Sequence, residues 1–275
     1  MKSRMVTGGG GAQLHVVDAG NAAKRPILFI HGLSQCWLAW RRQLESALAE
    51  DFRLVAMDLR GHGLSDKPRD AYGDSKLWAD DVNAVIQQLE LEQPVLCGWS
   101  YGPLVVLDYI RHYTDAAIGG ANFIGGVTKM GSEEAMSVLT PEFLALVPGF
   151  FSTDVEQSVR ATNSLLRLCF ASEIAGDDRY LMLGYNVSVP PHVRQGLLSR
   201  GIDNDDLLPK IQKPVLLTHG AHDAVVKLSV NDEQMSRIPK AVVRVVDKAG
   251  HACFWDEAEA YNCTLREFVE GSCRP

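Results

Sequence analysis

The stretch at positions 98–102, Gly-Trp-Ser-Tyr-Gly, constrains the fold more than any other part of this sequence. An apolar run at 94–97 precedes it, and an apolar helical pattern at 104–110 follows it. That order predicts a strand, a sharp turn and a helix, with Ser100 held in a strained backbone conformation at the strand end. The glycines keep Cβ atoms out of the crowded turn. The N–H groups that begin the following helix favour negative charge beside the serine hydroxyl.

Apolar strands alternate with helical patterns along much of the chain. The wholly apolar run at 26–30 is typical of a parallel strand that is covered on both faces. The apolar positions of residues 75–89 recur at helical spacing. This alternation predicts an α/β fold with a mostly parallel, twisted sheet flanked by helices. The other predicted strands are 13–17, 52–57, 95–99, 116–124, 214–218 and 242–246, and the other predicted helices are 40–48, 229–238 and one that begins near 256.

The alternation stops between residues 127 and 206, where no run predicts a strand. Thr140 followed by a proline, and Thr153 followed three residues later by Glu156, predict helix starts. Phenylalanines and leucines make this stretch apolar. We therefore expect a core formed by 1–126 and 207–275, and a helical cap, residues 127–206, inserted between strands six and seven over the carboxyl edge of the sheet.

Charge and composition exclude several classes of partner. The chain has 275 residues, 46% of them hydrophobic, and a net charge of −7. Without a basic run, we predict no nucleic-acid partner. No apolar stretch reaches the roughly 20 residues that span a bilayer, and the N-terminus lacks an apolar signal core, so we expect no membrane association and a cytoplasmic location. The six cysteines form no C-x-x-C pair, which favours reduced, mostly buried thiols.

Three polar residues stand where predicted strands end. Ser100 follows the strand into the turn, Asp223 follows the strand at 214–218, and His251 follows the last strand. Because the carboxyl ends of parallel strands meet at one edge of a sheet, we expect the three side chains to converge. Acyl transfer by serine needs a base and a carboxylate that orients it. The order Ser, Asp, His is the order expected when the serine sits on a strand–helix turn.

Two other carboxylates lie close to His251 in the sequence. We interpret Asp247 as a strand-end group and Asp256 as a helix cap. Residues 125–128, at another strand end, hold no carboxylate. Asp223 is therefore the preferred acid.

The remaining histidines have a simpler interpretation. Those beside glycines are expected to bond to loop backbones. The spacing H-x-x-H-D at 219–223 matches no metal-ligand pattern, so we predict no metal site. These alternative histidines are His31, His62, His219 and His222.

The sequence resembles the α/β-hydrolase superfamily over nearly its whole length, and within it the branch of capped serine esterases and cofactor-free haloperoxidases. The matching pieces are His-Gly at 31–32, Asp-Leu-Arg-Gly-His-Gly at 58–63, the turn at 98–102, Gly-Ala-His-Asp at 220–223 and Gly-His at 250–251. One departure is Pro103, where relatives carry a small residue. It falls in the first helical turn, where proline is tolerated.

The resemblance implies roles for individual residues. Ser100 would be the nucleophile, His251 the base and Asp223 the acid. The backbone N–H groups of Leu33 and Tyr101 would form the oxyanion hole. No cofactor is implied.

Aromatic residues near the motifs are candidates for substrate binding. We expect Trp37, Trp99 and Trp255, together with Phe143 of the cap, to line the pocket; packing in the core is the alternative for each.

The expected function is hydrolysis of a carboxylic ester, including a lactone, of a small apolar molecule through an acyl-enzyme. Hydrolysis of a carbon–carbon bond or perhydrolysis by the same three residues is an alternative. A non-catalytic small-molecule receptor is a further alternative, because fold alone does not fix function. A serine at the turn argues against hydrolases of this fold that attack with an aspartate.

Overall fold

A computed structural model describes residues 1–271, and its centre is one eight-stranded sheet. The spatial order of the strands is β1-β2-β4-β3-β5-β6-β7-β8. The first two strands pair antiparallel, as do β2 and β4, and all later neighbours are parallel. The strands are β1 Lys2–Thr7, β2 Gln13–Gly20, β3 Pro26–Ile30, β4 Arg53–Met57, β5 Val95–Trp99, β6 Gly120–Ile124, β7 Val215–Gly220 and β8 Ala241–Val246.

Every residue of β3, β4, β5, β6 and β7 is buried, which means that both faces of the central sheet are covered. The predicted α/β fold is therefore confirmed. The helices are α1 Arg41–Leu44, α2 Leu48–Asp51, α3 Ser75–Gln88, α4 Gly102–Tyr113, α5 Glu133–Ser137, α6 Pro141–Leu144, α7 Val147–Phe151, α8 Val155–Cys169, α9 Gly176–Val187, α10 Pro191–Leu198, α11 Val230–Arg237, α12 Cys253–Asp256 and α13 Ala258–Gly271. Short 3₁₀ turns occur at Gly9–Gly11, Trp37–Trp40 and Leu208–Lys210.

Helices α5 to α10 occupy the chain between β6 and β7, in the segment of residues 127–206. We call this part of the chain the helical segment. Two isolated antiparallel bridges hold it: Met130 near its start pairs with Ile202 near its end, and Leu139 pairs with Val226 in the loop after β7. The helix cap at the start of α8 is Asp154, whose side chain accepts from the N–H of Gln157, and not Thr153 as the sequence suggested.

Apart from shifted element ends, such as β6, which begins at Gly120 and not at 116, two elements differ from the sequence prediction. Strand β1 was not predicted, because only Val6 of its six residues is buried and no alternating apolar pattern develops. The predicted helix 40–48 is broken into α1 and α2, because the Ser46 hydroxyl donates to the carbonyl of Gln43 and accepts from the N–H of Leu48.

The cysteines of the described chain are free thiols. Four are buried, as expected for most of them, and Cys263 is exposed. Cys273 lies outside the described residues. No helix within residues 1–271 combines the length and apolar character needed to cross a membrane.

Candidate active site

Ser100 follows β5 directly and has a φ of 59°, a left-handed conformation that costs an L-residue about 1–2 kcal/mol. Its N–H donates to the carbonyl of Ile124 at 2.9 Å, which holds the turn against the end of β6. A Cβ atom on Gly102 would lie 2.6 Å from the carbonyl oxygen of Ile30. Glycine at this position therefore lets α4 begin immediately behind the serine, as the sequence pattern predicted.

Asp223 and His251 meet in the loops after β7 and β8. His251 Nδ1 lies 2.7 Å from Asp223 Oδ2, and their side chains are 2% and 1% exposed. Asp223 Oδ1 accepts from the N–H groups of Val225 and Val226 at 2.7 and 2.9 Å. Burial alone would raise the pKa of Asp223, but interaction with His251 and hydrogen bonds from two histidines outweigh it. The pKa of Asp223 is therefore held well below its usual range.

An ionised carboxylate beside Nδ1 keeps the ring proton on that nitrogen, which leaves Nε2 of His251 as the basic atom. Among the described residues, Nε2 is buried and has no hydrogen-bond partner. The backbone of the same residue is fixed: the Trp99 indole N–H donates to the carbonyl of His251 at 3.0 Å, and the next N–H, of Ala252, donates to Cys169 at the end of α8.

A second histidine contacts Asp223, and sequence reasoning missed it. His219 Nε2 lies 3.0 Å from Asp223 Oδ2 and 3.1 Å from the carbonyl oxygen of Val226. Burial alone would lower the pKa of His219, but hydrogen bonding and the charge of Asp223 outweigh burial, so the pKa is raised. The sequence feature that could have indicated this contact is the four-residue spacing between His219 and Asp223.

One cavity brings the predicted residues together. Ser100 and His251 line it, as do Leu33, Tyr101 and Trp99. Its wall carries no Lys, Arg, Asp or Glu side chain from the described chain. The rest of the lining is mostly apolar and comes from both the core and the helical segment: Gly32, Gln35, Val127, Met130, Leu139, Phe143, Leu165, Cys169, Leu198, Val225 and Val226.

Two of the four aromatic candidates lie outside this lining. The ring of Trp37 lies 6.3 Å from the ring of His15, centroid to centroid, and its backbone N–H donates to Asp58 Oδ1 at 2.7 Å. The ring of Trp255 packs under the guanidinium of Arg42 at 4.6 Å and edge-on to Phe170. Both side chains are engaged in packing, the alternative given for them above, whereas Trp99 and Phe143 face the cavity.

Asp256 does not cap the last helix. Its Oδ2 accepts from the N–H groups of Gly250 and Ala171, at 2.8 and 2.9 Å. It therefore ties the loop that carries His251 to the helical segment, and the capping interpretation was wrong. Asp247 is exposed at the end of β8.

The two N–H groups that the resemblance implies for an oxyanion hole belong to residues on the cavity wall, Leu33 and Tyr101. Within residues 1–271, neither backbone N–H donates to a protein acceptor. Two unpaired donors beside a serine hydroxyl suit a developing negative charge.

One group of carboxylates lies close enough together to share a cation: Glu134, Asp205 and Glu233. Lys129 already fills this position, with Nζ at 2.7, 2.9 and 2.8 Å from the three. Its side chain is 6% exposed, and the ion pairs join both ends of the helical segment to α11. The group is therefore a structural clamp and not a metal site of the cavity.

The fold recurs in known proteins. Residues 25–258 match the family model for the alpha/beta hydrolase fold. The chain belongs to the α/β-hydrolase fold family. The esterase RhEst1 from Rhodococcus sp. ECU1013 is 33% identical, with 98% of this chain and 99% of that chain covered and a TM-score of 0.93.

Two further structures extend the comparison. The esterase EaEST from Exiguobacterium antarcticum is 25% identical, with 98% of this chain and all of that chain covered and a TM-score of 0.85. A bromoperoxidase from Bacillus anthracis is 21% identical, with 98% and 100% covered and a TM-score of 0.84, a likeness of fold. The predicted resemblance to esterases and haloperoxidases of this family is confirmed. These α/β-hydrolase relatives indicate that the chain is a hydrolase.

Proposed function

We propose that this α/β hydrolase cleaves carboxylic esters with Ser100 as nucleophile, His251 as general base and Asp223 as the orienting acid. The observation that carries the proposal is the pairing of His251 Nδ1 with a buried, ionised Asp223, while the unpartnered Nε2 and the strained serine share one cavity. These are the groups that serine acyl transfer requires.

The reaction proceeds through an acyl-enzyme. His251 Nε2 takes the proton of Ser100 Oγ as that oxygen attacks the ester carbonyl. The N–H groups of Leu33 and Tyr101 donate to the carbonyl oxygen as it becomes an oxyanion. The intermediate expels the alcohol, which takes the proton from His251. Water, deprotonated by the same nitrogen, then releases the acid and restores the serine.

The size and lining of the cavity favour short, uncharged acyl groups as substrates. Its volume is about 40 Å³, well under the roughly 150 Å³ of a cavity that holds benzene. No charged side chain of the described residues lines it, so a charged acyl group would lose its hydration without a partner. A longer acyl or aromatic group requires the walls to move.

We further propose that the helical segment, residues 127–206, is a cap domain that contacts the acyl group of the substrate and selects for its size. Support comes from the wall itself, because Leu139, Phe143, Leu165 and Leu198 belong to this segment and face the same cavity as Ser100. Apolar side chains over the serine would exclude water and strengthen the electrostatic interactions inside.

A panel of p-nitrophenyl esters and lactones tests the function. We expect hydrolysis of short esters such as the acetate by the wild type, and loss of essentially all of it in Ser100→Ala. Ser236→Ala, in the exposed face of α11, is the matched control and should keep full activity. Ester hydrolysis that survives in Ser100→Ala would refute the proposal.

A further inference from the structure

Arg194 is a buried cation of α10, with 1% of its surface exposed. Within residues 1–271 no carboxylate pairs with its guanidinium, and burial lowers the pKa of Arg194 to about 10. Its Nε donates to the hydroxyl of Ser34 at 3.0 Å, and the other end of the guanidinium donates to Ser158 Oγ and to the carbonyl of Asn186, each at 2.9 Å. Arg194 of α10 thus joins the loop after β3, helix α8 and helix α9 through one unpaired charge.

Ser34 is the residue after Leu33, the first proposed oxyanion donor. Its φ of 63° is left-handed and strained, so something must hold it there. The Ser34 N–H donates to His62 Nε2 at 3.2 Å, and the Ser34 hydroxyl is held by Arg194. On the other side, His31 Nδ1 donates to the carbonyl of Gly32 at 2.8 Å, because its Nε2 accepts from a backbone N–H. Since the peptide is planar, this fixes where the Leu33 N–H points.

The second proposed donor, Tyr101, is held in a corresponding way. Arg200 Nη1 donates to the hydroxyl of Tyr101 at 3.0 Å, and the same hydroxyl donates to the carbonyl of Leu197 at 3.4 Å. Arg200 is itself fixed by Asp108 of α4, at 2.7 Å from Nη2, and by the ring of Trp78 beneath its guanidinium. The side chain of Tyr101 is therefore anchored to the chain just after α10.

We propose that Arg194 and Arg200 are positioning residues that hold the two walls of the oxyanion hole, one through Ser34 and the other through Tyr101. Both arginines belong to the helical segment, in one seven-residue stretch at 194–200. The segment would then set the catalytic geometry as well as cover the substrate. This inference rests on the proposed function, since it assigns a role to groups that matter only if Ser100 attacks a carbonyl.

The expected effect lies in the transition state. The oxyanion forms only as Ser100 attacks, so donors held slightly out of place lower kcat and leave ground-state binding nearly unchanged. Removal of one oxyanion donor costs about 10²–10³ in kcat in other enzymes. Misplacement of a donor that is still present should cost less, about tenfold to a hundredfold.

The test measures how fast a fluorophosphonate phosphonylates Ser100. This reaction uses the serine and the oxyanion hole, and it can be run without knowing the natural substrate. We expect Arg194→Met and Arg200→Met each to slow phosphonylation at least tenfold, and to lower kcat for p-nitrophenyl acetate in parallel with KM changed less than about threefold. Arg53→Met is the matched control. Arg53 is also buried and is paired with Asp18, but it begins β4 at the opposite end of the sheet. Its loss should leave both rates within about threefold of the wild type.

Milder variants keep the test decisive if the methionine variants unfold. Ser34→Ala and Tyr101→Phe each remove only the oxygen that accepts from the arginine, and each should slow phosphonylation to a similar degree. If Arg194 acts through Ser34, adding Arg194→Met to Ser34→Ala should slow the reaction less than twofold further. The same non-additivity is expected for Arg200→Met in Tyr101→Phe.

The outcomes separate this inference from the proposed function. Wild-type Ser100 that reacts quickly, with slow and non-additive variants, supports both. Reaction of Ser34→Ala and Tyr101→Phe at the wild-type rate would overturn the inference and leave the proposed function standing. A wild-type serine that does not react at all would remove the proposed function, and the inference with it.

Discussion

Asp223 accepts hydrogen bonds from two histidines and two backbone N–H groups, so its carboxylate cannot turn without losing at least one of them. Both histidines meet the same oxygen, Oδ2, and both N–H groups meet the other. Because both histidines contact Oδ2, a substitution that removes its charge or its ability to accept a hydrogen bond should disturb both contacts. The strain at Ser100 is a similar single-residue feature, because the neighbouring strand and the glycines around the turn impose it.

Asp223→Asn should lower kcat by about 10⁴, the scale seen when a triad acid becomes an amide. The amide nitrogen would face His251 Nδ1 and favour the wrong tautomer. Steady-state kinetics with p-nitrophenyl acetate checks this. Asp247→Asn, at an exposed position, is the control and should retain activity within about twofold. Equal losses in the two variants would show that the orienting acid is misassigned.

Gly125→Ala should reduce both activity and stability. Gly125 has a φ of +49°, and a Cβ atom there would lie 3.0 Å from both Asp223 Oδ2 and His251 Nδ1. We expect kcat to fall at least tenfold, and left-handed alanine to cost about 1–2 kcal/mol of unfolding free energy. Gly11→Ala separates the two effects, because Gly11 has a φ of +81° but open space around it. That control should lose stability and keep its kcat; a kcat loss equal to that of Gly125→Ala would mean that strain alone is responsible.

At the scale of elements, the sequence predicts buried strands more accurately than exposed ones. The bounds of β3 and β5 were predicted to the residue, because every side chain in them is apolar. The single buried residue of β1 left no periodic signal. The convergence of Ser100, Asp223 and His251 could be predicted because each residue follows a strand of a mostly parallel sheet. Contacts such as Arg194 to Ser34 join residues 160 apart in the sequence, and no local pattern encodes them.

Helix α8 provides the sharpest test of the proposed cap. Leu165 lines the cavity, while its neighbour Leu166, which is 1% exposed, does not. Leu165→Ala should enlarge the acyl site and raise kcat/KM for the hexanoate ester relative to the acetate by about tenfold, the value of one or two methylenes in an apolar pocket. Leu166→Ala should cost about 2–5 kcal/mol of stability without changing the preference. Unchanged preference in folded Leu165→Ala would show that the helical segment does not read the acyl chain.

At the scale of the whole molecule, the stability of the fold depends on pH through His219, which contacts Asp223 of the site. The pKa of His219 is raised in the folded chain, because bonding to Asp223 outweighs burial. Its protonated form therefore stabilises the fold below the ordinary histidine pKa of about 6.5, and that contribution is lost as pH rises through the raised value. Around neutral pH, Asp223 stays ionised because its own pKa is lowered.

We expect the unfolding free energy of the wild type, minus that of His219→Gln, to be larger at pH 5.5 than at pH 8.5. Denaturant unfolding of both proteins at the two pH values measures it. A difference that is constant or grows with pH would contradict the assigned direction.

The central claim, that Ser100 is the nucleophile of an ester hydrolase, is tested most directly by mapping a covalent adduct. The wild type is treated with a fluorophosphonate and digested, and the modified peptide is identified by mass spectrometry. We expect one adduct per chain, on Ser100, with loss of esterase activity in proportion to labelling. An adduct on another residue, or hydrolysis that continues after Ser100 is fully modified, would contradict it.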